Sequence, residues 1–170
     1  MVSPTYGKLE VPMRSPFQVL VVPFRIIKSS GDPEFLVLKR ADLDVWQAGV
    51  AGGGEDGESP AGAAERESVE ELGLEHTVAV YPLQSVASVP VYHFSDRASW
   101  PSGLYTIPEY AFMIDLTGER ISLSSEHTSS RWLGYDGALE LLCWDSNRTA
   151  IWEARQRLVR MDLPASSRRL

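Results

Sequence analysis

The stretch from Ser59 to Gly73 constrains this chain more than any other, because it reads as one helix that must lie close against a flat partner. Ser59 stands at an N-cap position and Pro60 at the first helical position, where a missing N–H costs nothing. Gly73 follows the last turn, so the spacing predicts a helix over Pro60–Leu72. Projected at about 100° per residue with Glu67 at zero, Glu70 falls near 300° and Glu71 near 40°. Three carboxylates therefore share one face. Ala61, Ala64, Ser68 and Leu72 cluster at roughly 60–140°, a small and mostly apolar face suited to close packing on a sheet.

The rest of the chain supplies that sheet. Phe17–Ile27 is rich in β-branched residues and bounded by Pro16 and the turn cluster of residues 29–33, which predicts a strand. Pro23 inside it predicts a bulge or an edge. Phe35–Arg40 reads as its hairpin partner. Val45–Val50 reads as a shorter strand, leading into Ala51-Gly52-Gly53-Gly54, which a regular strand is not expected to tolerate. Beyond the helix, Thr77–Tyr81, Leu83–His93 and Glu109–Leu116 read as strands, and Ser95–Ile107 as a polar loop. Arg131–Leu133 reads as a short strand, and Gly137–Leu142 and Asn147–Met161 as helices. This order predicts an α+β fold, an α/β/α sandwich with helices on both sides of a mixed sheet. A chain of 170 residues fits one domain, with a core over about 14–162 and short flexible termini.

A net charge of −7 argues against general nucleic-acid binding, which normally shows a basic surplus. The longest apolar run, Phe17–Phe24, is too short to cross a bilayer. The opening MVSPTYGKLE has no basic region followed by an apolar stretch, so no secretory signal is expected. A single cysteine, Cys143, excludes an internal disulfide and fits a reducing, cytoplasmic setting. Cys143 is expected in the core of an apolar helix rather than as a nucleophile.

Like charges three and four apart destabilise a bare helix by a few tenths of a kcal/mol per pair. An external partner for Glu67, Glu70 and Glu71 is therefore expected. Mg2+ takes oxygen ligands and is commonly shared between carboxylates and phosphates, which also resolves how an acidic protein would accept a polyphosphate. Arg66, four residues before Glu70, can brace the array, and Glu58 can pair with Arg66. The glycine run lets backbone approach a ligand closely.

The segment Gly52–Leu74 resembles the Nudix box. Gly52, Glu58, Arg66, Glu67, Glu70, Glu71 and Gly73 occupy its fixed positions, with Leu74 in the final apolar slot. Seven matches at about 7% usage each would arise by chance on the order of 10^-8 per window, so coincidence is not a competitor. One slot departs: Ser68 stands where a bulky aliphatic residue is usual, on the packing face, and bears on local stability rather than metal binding. The resemblance implies the Nudix fold, with Glu67, Glu70 and Glu71 binding Mg2+ or Mn2+ and Glu58 and Arg66 orienting them. Further short matches resemble the bacterial dihydroneopterin triphosphate diphosphatase (dATP pyrophosphohydrolase) branch. They are Arg14 and Pro16, Lys39-Arg40, Trp46-Gln47, Glu109, Glu126-His127, Arg131-Trp132-Leu133 and Ser146-Asn147-Arg148.

That branch implies that Glu126 completes the metal site and that Arg14 and Lys39 contact substrate; Arg40, Ala51 and Ser146 are further candidate substrate contacts. The general base stays open between a box glutamate and Glu126. Each basic residue alone is as readily an exposed strand end, Trp46 a core residue and Ser146 a helix N-cap. His93 and His127 read as incidental, since neither has metal-ligand spacing to another histidine. The implied activity is Mg2+-dependent cleavage of a nucleoside or dihydroneopterin triphosphate to monophosphate and pyrophosphate. Other nucleoside-diphosphate-linked substrates (dinucleoside polyphosphates, nucleotide sugars, RNA 5′ ends) and a non-catalytic nucleotide-binding domain remain open. The expected partner is a small phosphorylated molecule, with no membrane. The 95–107 segment, carrying Trp100 and Pro101, is expected to cover the cleft or to form a homodimer contact.

Overall fold

In the computed structural model, residues 13–167 are described. The short N-terminal segment expected to be flexible, before residue 14, lies outside them except for Met13. Seven strands form one mixed sheet: β1 (Arg14–Ile26), β2 (Pro33–Arg40), β3 (Trp46–Ala48), β4 (Val50–Glu55), β5 (Val80–Pro90), β6 (Thr106–Asp115) and β7 (His127–Leu133). Helix α1 (Pro60–Leu72) covers one face. Helices α2 (Tyr135–Leu141) and α3 (Asp145–Arg160) cover the other.

β-strand alternation builds two cores from the same strands. Val19 and Val21, Leu36 and Leu38, and Phe112 and Ile114 point toward Ala63, Ala64 and Leu72 of α1. Their neighbours Leu20 and Val22, Phe35 and Val37, and Ala111 and Met113 point toward Ala138, Ala150, Ile151 and Ala154. Near-continuous burial along β1 follows, and so does the β-branched run that marks it in the sequence. The α/β/α sandwich is the architecture observed.

β1 is the central strand. β6 runs parallel to it on one side, and β4 and then β2 lie antiparallel on the other. Pro23 is neither an edge nor a bulge residue. It sits between the Val21↔Val50 and Phe24↔Phe35 pairs, where the neighbour of β1 changes from β4 to β2 and a ladder N–H has no partner to lose. Gly49, at φ 67°, turns the chain between β3 and β4 there, and a Cβ on it would lie 2.2 Å from both Pro23 Cδ and the Val21 carbonyl oxygen.

Three further expectations are corrected. The glycine run is strand: Gly52 and Gly53 pair with Val19 and Gln18. Thr77–Ala79 is not strand, and the two strands expected around residue 82 are one, β5, which ends before His93; Val91–His93 forms a 3-10 turn. Cys143 is exposed, past the end of α2, not in a helix core. Among the described residues no helix is long and apolar enough to span a membrane.

Candidate functional site

Helix α1 is fixed at both ends. Ser59 Oγ accepts from the Gly62 N–H at 3.1 Å, and Gly73 closes the helix at φ 58°, its N–H donating to the Val69 carbonyl. Buried Ser68 donates its hydroxyl to the Ala64 carbonyl at 2.6 Å, so the polar group in the packing face is satisfied within the helix. The small residues of α1 bring the helix down onto β1 and β4. There the missing Cβ of Gly52 makes room for Glu67: a methyl at Gly52 would lie 2.1 Å from Glu67 Cδ. Glycine is thus required in β4 by a side chain from the helix above it, which is why a glycine run can be strand here.

Arg66 organises the acidic residues. Its Nε and Nη2 donate to the two oxygens of Glu58 at 3.0 Å each, and Nη1 donates to Glu67 at 3.0 Å and Glu70 at 3.1 Å. Nη2 also reaches the Gly53 carbonyl at 2.8 Å. The planar five-donor guanidinium suits this divergent set as an ammonium would not. Hydrogen bonding to Glu58 raises the Arg66 pKa. Burial works to raise Glu58, but Arg66 and the Glu55 N–H hold that carboxyl below its ordinary range. Glu67 goes the other way. Burial pushes it up to about 7, with Glu71 and Glu70 adding to the rise and Arg66 only partly opposing it.

Glu71, 2% exposed, meets His127 Nε2 at 2.6 Å from the start of β7. Burial raises its pKa, and the histidine opposes the rise. His127 is therefore a partner of the acidic face, not incidental. Its Nδ1 is buried with no hydrogen-bond partner among the described residues. Sequence reasoning missed it because the pair spans 56 residues; the signal available was its position beside Glu126.

A cavity of about 270 Å³ opens beside this pair, lined by Arg40, Gln47, Ala51, Glu126 and His127 among others. Arg40 points into it while paired with Asp42. Lys39 alternates to the other sheet face and pairs with Asp44 at 2.6 Å, so the structure separates these two basic candidates. Ser146 lies in a different cleft, with Glu109. It does not cap α3, whose N-cap is Trp144. Trp46 is half-buried against the α3-side core, with Arg131 stacked 5.0 Å from its ring centroid.

Arg14 lies on the other flank of β4. A Cβ on Gly53 would come within 2.4 Å of Arg14 Cζ, and Arg14 sits in the field of Glu67. Desolvation lowers the Arg14 pKa, and its Nε is buried without a partner among the described residues. The 91–105 segment positions it. Trp100 Nε1 donates to the Arg14 carbonyl at 2.7 Å, and the guanidinium stacks 4.8 Å from the centroid of Phe94, itself against Trp100. The segment thus packs on the chain's own β1.

Among the described residues no three Asp, Glu, His or Cys side chains already converge as a closed metal cage. Mg2+ needs none, since one or two carboxylates with waters and substrate phosphates satisfy its octahedron. The donor set fits such an ion. Glu67, Glu70, Glu71 and Glu126 offer hard oxygens. Burial raises both Glu67 and Glu71; Glu71 adds to the rise at Glu67 and Glu126 to that at Glu71, a repulsion that a cation relieves.

Comparison with known proteins gives a consistent result. The NUDIX domain family model matches residues 19–152. A structure described as a NUDIX hydrolase, from Listeria monocytogenes str. 4b F2365, is 48% identical with a TM-score of 0.79, covering 89% of this chain and 99% of that one. The dihydroneopterin triphosphate pyrophosphohydrolase of E. coli is 28% identical with a TM-score of 0.63, covering 88% and 99%. An Ap4A hydrolase of C. elegans, at 17% identity and a TM-score of 0.63 over 85% and 98%, shares the fold. No curated protein matches the sequence.

Proposed function

The chain belongs to the NUDIX family and is a Nudix hydrolase, and from that premise we propose that it cleaves a nucleoside or dihydroneopterin triphosphate to the monophosphate and pyrophosphate with Mg2+ or Mn2+. The observation that carries this reading is the four-way grip of Arg66 on Glu58, Glu67, Glu70 and the Gly53 carbonyl, next to the Glu71–His127 pair. The 28% identity to a triphosphate pyrophosphohydrolase over nearly the whole chain supports the substrate class.

Glu67, Glu70, Glu71 and Glu126 would hold the metal. When bound, the ion supplies Lewis-acid polarisation of phosphoryl oxygens and a lowered pKa for water. The protein's own residues do the rest. Arg66 fixes the directions of Glu67 and Glu70, and Gly52 lets Glu67 lie over β4. His127 holds Glu71 from β7, leaving one carboxylate oxygen of Glu71 outside that hydrogen bond. Arg14 and Arg40, flanking the acidic face from two strands, supply the cations that a polyphosphate needs beyond the metal. The base that takes a proton from an attacking water is a box glutamate or Glu126, which is exposed at the cavity rim.

Purified protein incubated with Mg2+ and a panel of triphosphates should release pyrophosphate, and Glu71→Gln should abolish most turnover while keeping the fold. Inertness toward every triphosphate, with turnover of a dinucleoside polyphosphate or nucleotide sugar, would overturn the substrate assignment.

A further inference from the structure

Glu109 is a buried carboxylate that the chemistry around α1 does not use. It sits on β6, 7% exposed, on the α3 side of the sheet. Taking a carboxylate out of water costs several kcal/mol unless its acceptor sites are filled. Gln18 Nε2 donates to Glu109 Oε2 at 3.0 Å, and Ser146 gives a second hydrogen bond. Burial pushes the Glu109 pKa up, and both donors oppose that rise by favouring the ionised form, which accepts only and has about four acceptor sites. Among the described residues two remain. They belong to a group that lines a cleft of about 200 Å³, with the small residues Ser85, Ala87, Ala111 and Ser146 on part of its wall and a second carboxylate, Asp145, among the rest. A cleft with small residues on its walls and carboxylate acceptors at Glu109 and Asp145 suits a flat ring bearing N–H groups.

The cleft is joined to the acidic face by a continuous polar line. Gln18 bridges, donating to Glu109 and accepting from Arg14 Nη2 at 3.2 Å. Arg14 lies against Gly53, whose carbonyl accepts from Arg66. The line runs from Arg14 along β1 to Gln18 and then across to Glu109 on β6, which gives a molecule with its phosphates at Arg14 a route to the cleft.

We propose that this cleft takes the substrate's ring and that Glu109 selects rings with two adjacent N–H donors, the amino–N–H edge shared by guanine and pterins. Adenine and cytosine present one donor beside an acceptor on the corresponding edge, and thymine one donor between two carbonyls; each leaves a carboxylate oxygen facing a lone pair. The inference rests on the triphosphate reading only for where the phosphates lie.

Fluorescence titration with neopterin in EDTA, with guanosine and adenosine as competitors, tests the cleft without hydrolysis. Neopterin and guanosine should bind and adenosine should not compete. Glu109→Gln, which turns a donor toward the ring, should weaken neopterin about 10- to 100-fold, the range of a bidentate pair. Ala87→Leu, which fills the cleft from β5 beside Glu109 and keeps the carboxylate, should weaken it as well, so the test survives if one variant misfolds. Equal binding of adenosine and neopterin, or unchanged neopterin affinity in both folded variants, overturns the inference even where triphosphates are hydrolysed. Glu109-dependent neopterin binding upholds it even where no triphosphate is cleaved, and that pairing separates its failure from failure of the triphosphate reading.

Discussion

Gly52→Ala separates catalysis from stability in a way the geometry makes quantitative. The new Cβ would lie 2.1 Å from Glu67 Cδ and 2.4 Å from its Cγ and Oε1, against 3.4 Å for ordinary contact. The carboxyl must therefore retreat by about 1.3 Å (3.4 − 2.1). Misplacing a catalytic group by about 1 Å costs on the order of 10²-fold, or about 2.7 kcal/mol of barrier. The fold loses little. The clash is with the side chain of Glu67 and not with backbone, and Gly52 is not at positive φ, so the alanine is accommodated by moving that side chain. Neighbouring glycines give the controls. At Gly54 a Cβ would enter the Phe17 ring at 1.9 Å, so Gly54→Ala should overpack the α1-side core by about 1–3 kcal/mol, with Tm falling about 2–4 °C for each. At Gly53 it would meet the Arg14 guanidinium, so Gly53→Ala should raise KM more than it lowers kcat. Pyrophosphate release with Mg2+ gives the rates and thermal melting followed by circular dichroism gives Tm. Wild-type turnover in a stably folded Gly52→Ala protein would refute the placement of Glu67 at the reacting centre.

Arg66→Lys should cut kcat by about 10²-fold or more with the fold retained, because one ammonium cannot reach Glu58, Glu67, Glu70 and the Gly53 carbonyl together; steady-state kinetics checks it. His127→Ala should leave Glu71 buried without its donor and lower Tm by an amount matching about 1–3 kcal/mol, and added Mg2+ with a substrate analogue should restore part of it in a melting assay. Glu153 accepts from the Gln84 and Ser85 N–H groups, from Ser85 Oγ and from Arg157, and these bonds overcome burial to hold its pKa below the ordinary value. A depressed folded-state pKa contributes stability above the unfolded value, about 4.3 for Glu, that is lost as pH falls through the folded one. Glu153→Gln should therefore destabilise by about 1.5–3 kcal/mol at pH 7 and flatten the acid limb of a Tm–pH curve; parallel curves for the two proteins would show that the carboxylate carries no such linkage.

Much of the site was legible from residue order because its parts are local. Ser59, Pro60 and Gly73 bound α1 as their backbone preferences require, and Glu67, Glu70 and Glu71 share the face that the projection gave them, although Glu71 is buried rather than open. What was not legible depends on side chains that meet from distant positions. β4 is a strand because Glu67, Arg14 and Phe17 fill the space its glycines leave, so local propensity gave the wrong answer for Gly52–Gly54. His127 gains its role from a partner 56 residues away. Lys39 and Arg40 look equivalent in sequence, and strand alternation sends only Arg40 to the acidic side. Pro23 is tolerated mid-sheet because two neighbours of β1 change over beside it, a tertiary fact with no local trace.

Counting Mn2+ by electron paramagnetic resonance, with a non-hydrolysable triphosphate analogue present, goes straight to whether the α1 carboxylates gather a divalent cation beside phosphate. Wild-type protein should take up the ion, and Glu67→Gln and Glu71→Gln should each lose most of that uptake while melting as cooperatively as wild type. Equal uptake by wild type and both variants would contradict the account and place the metal elsewhere.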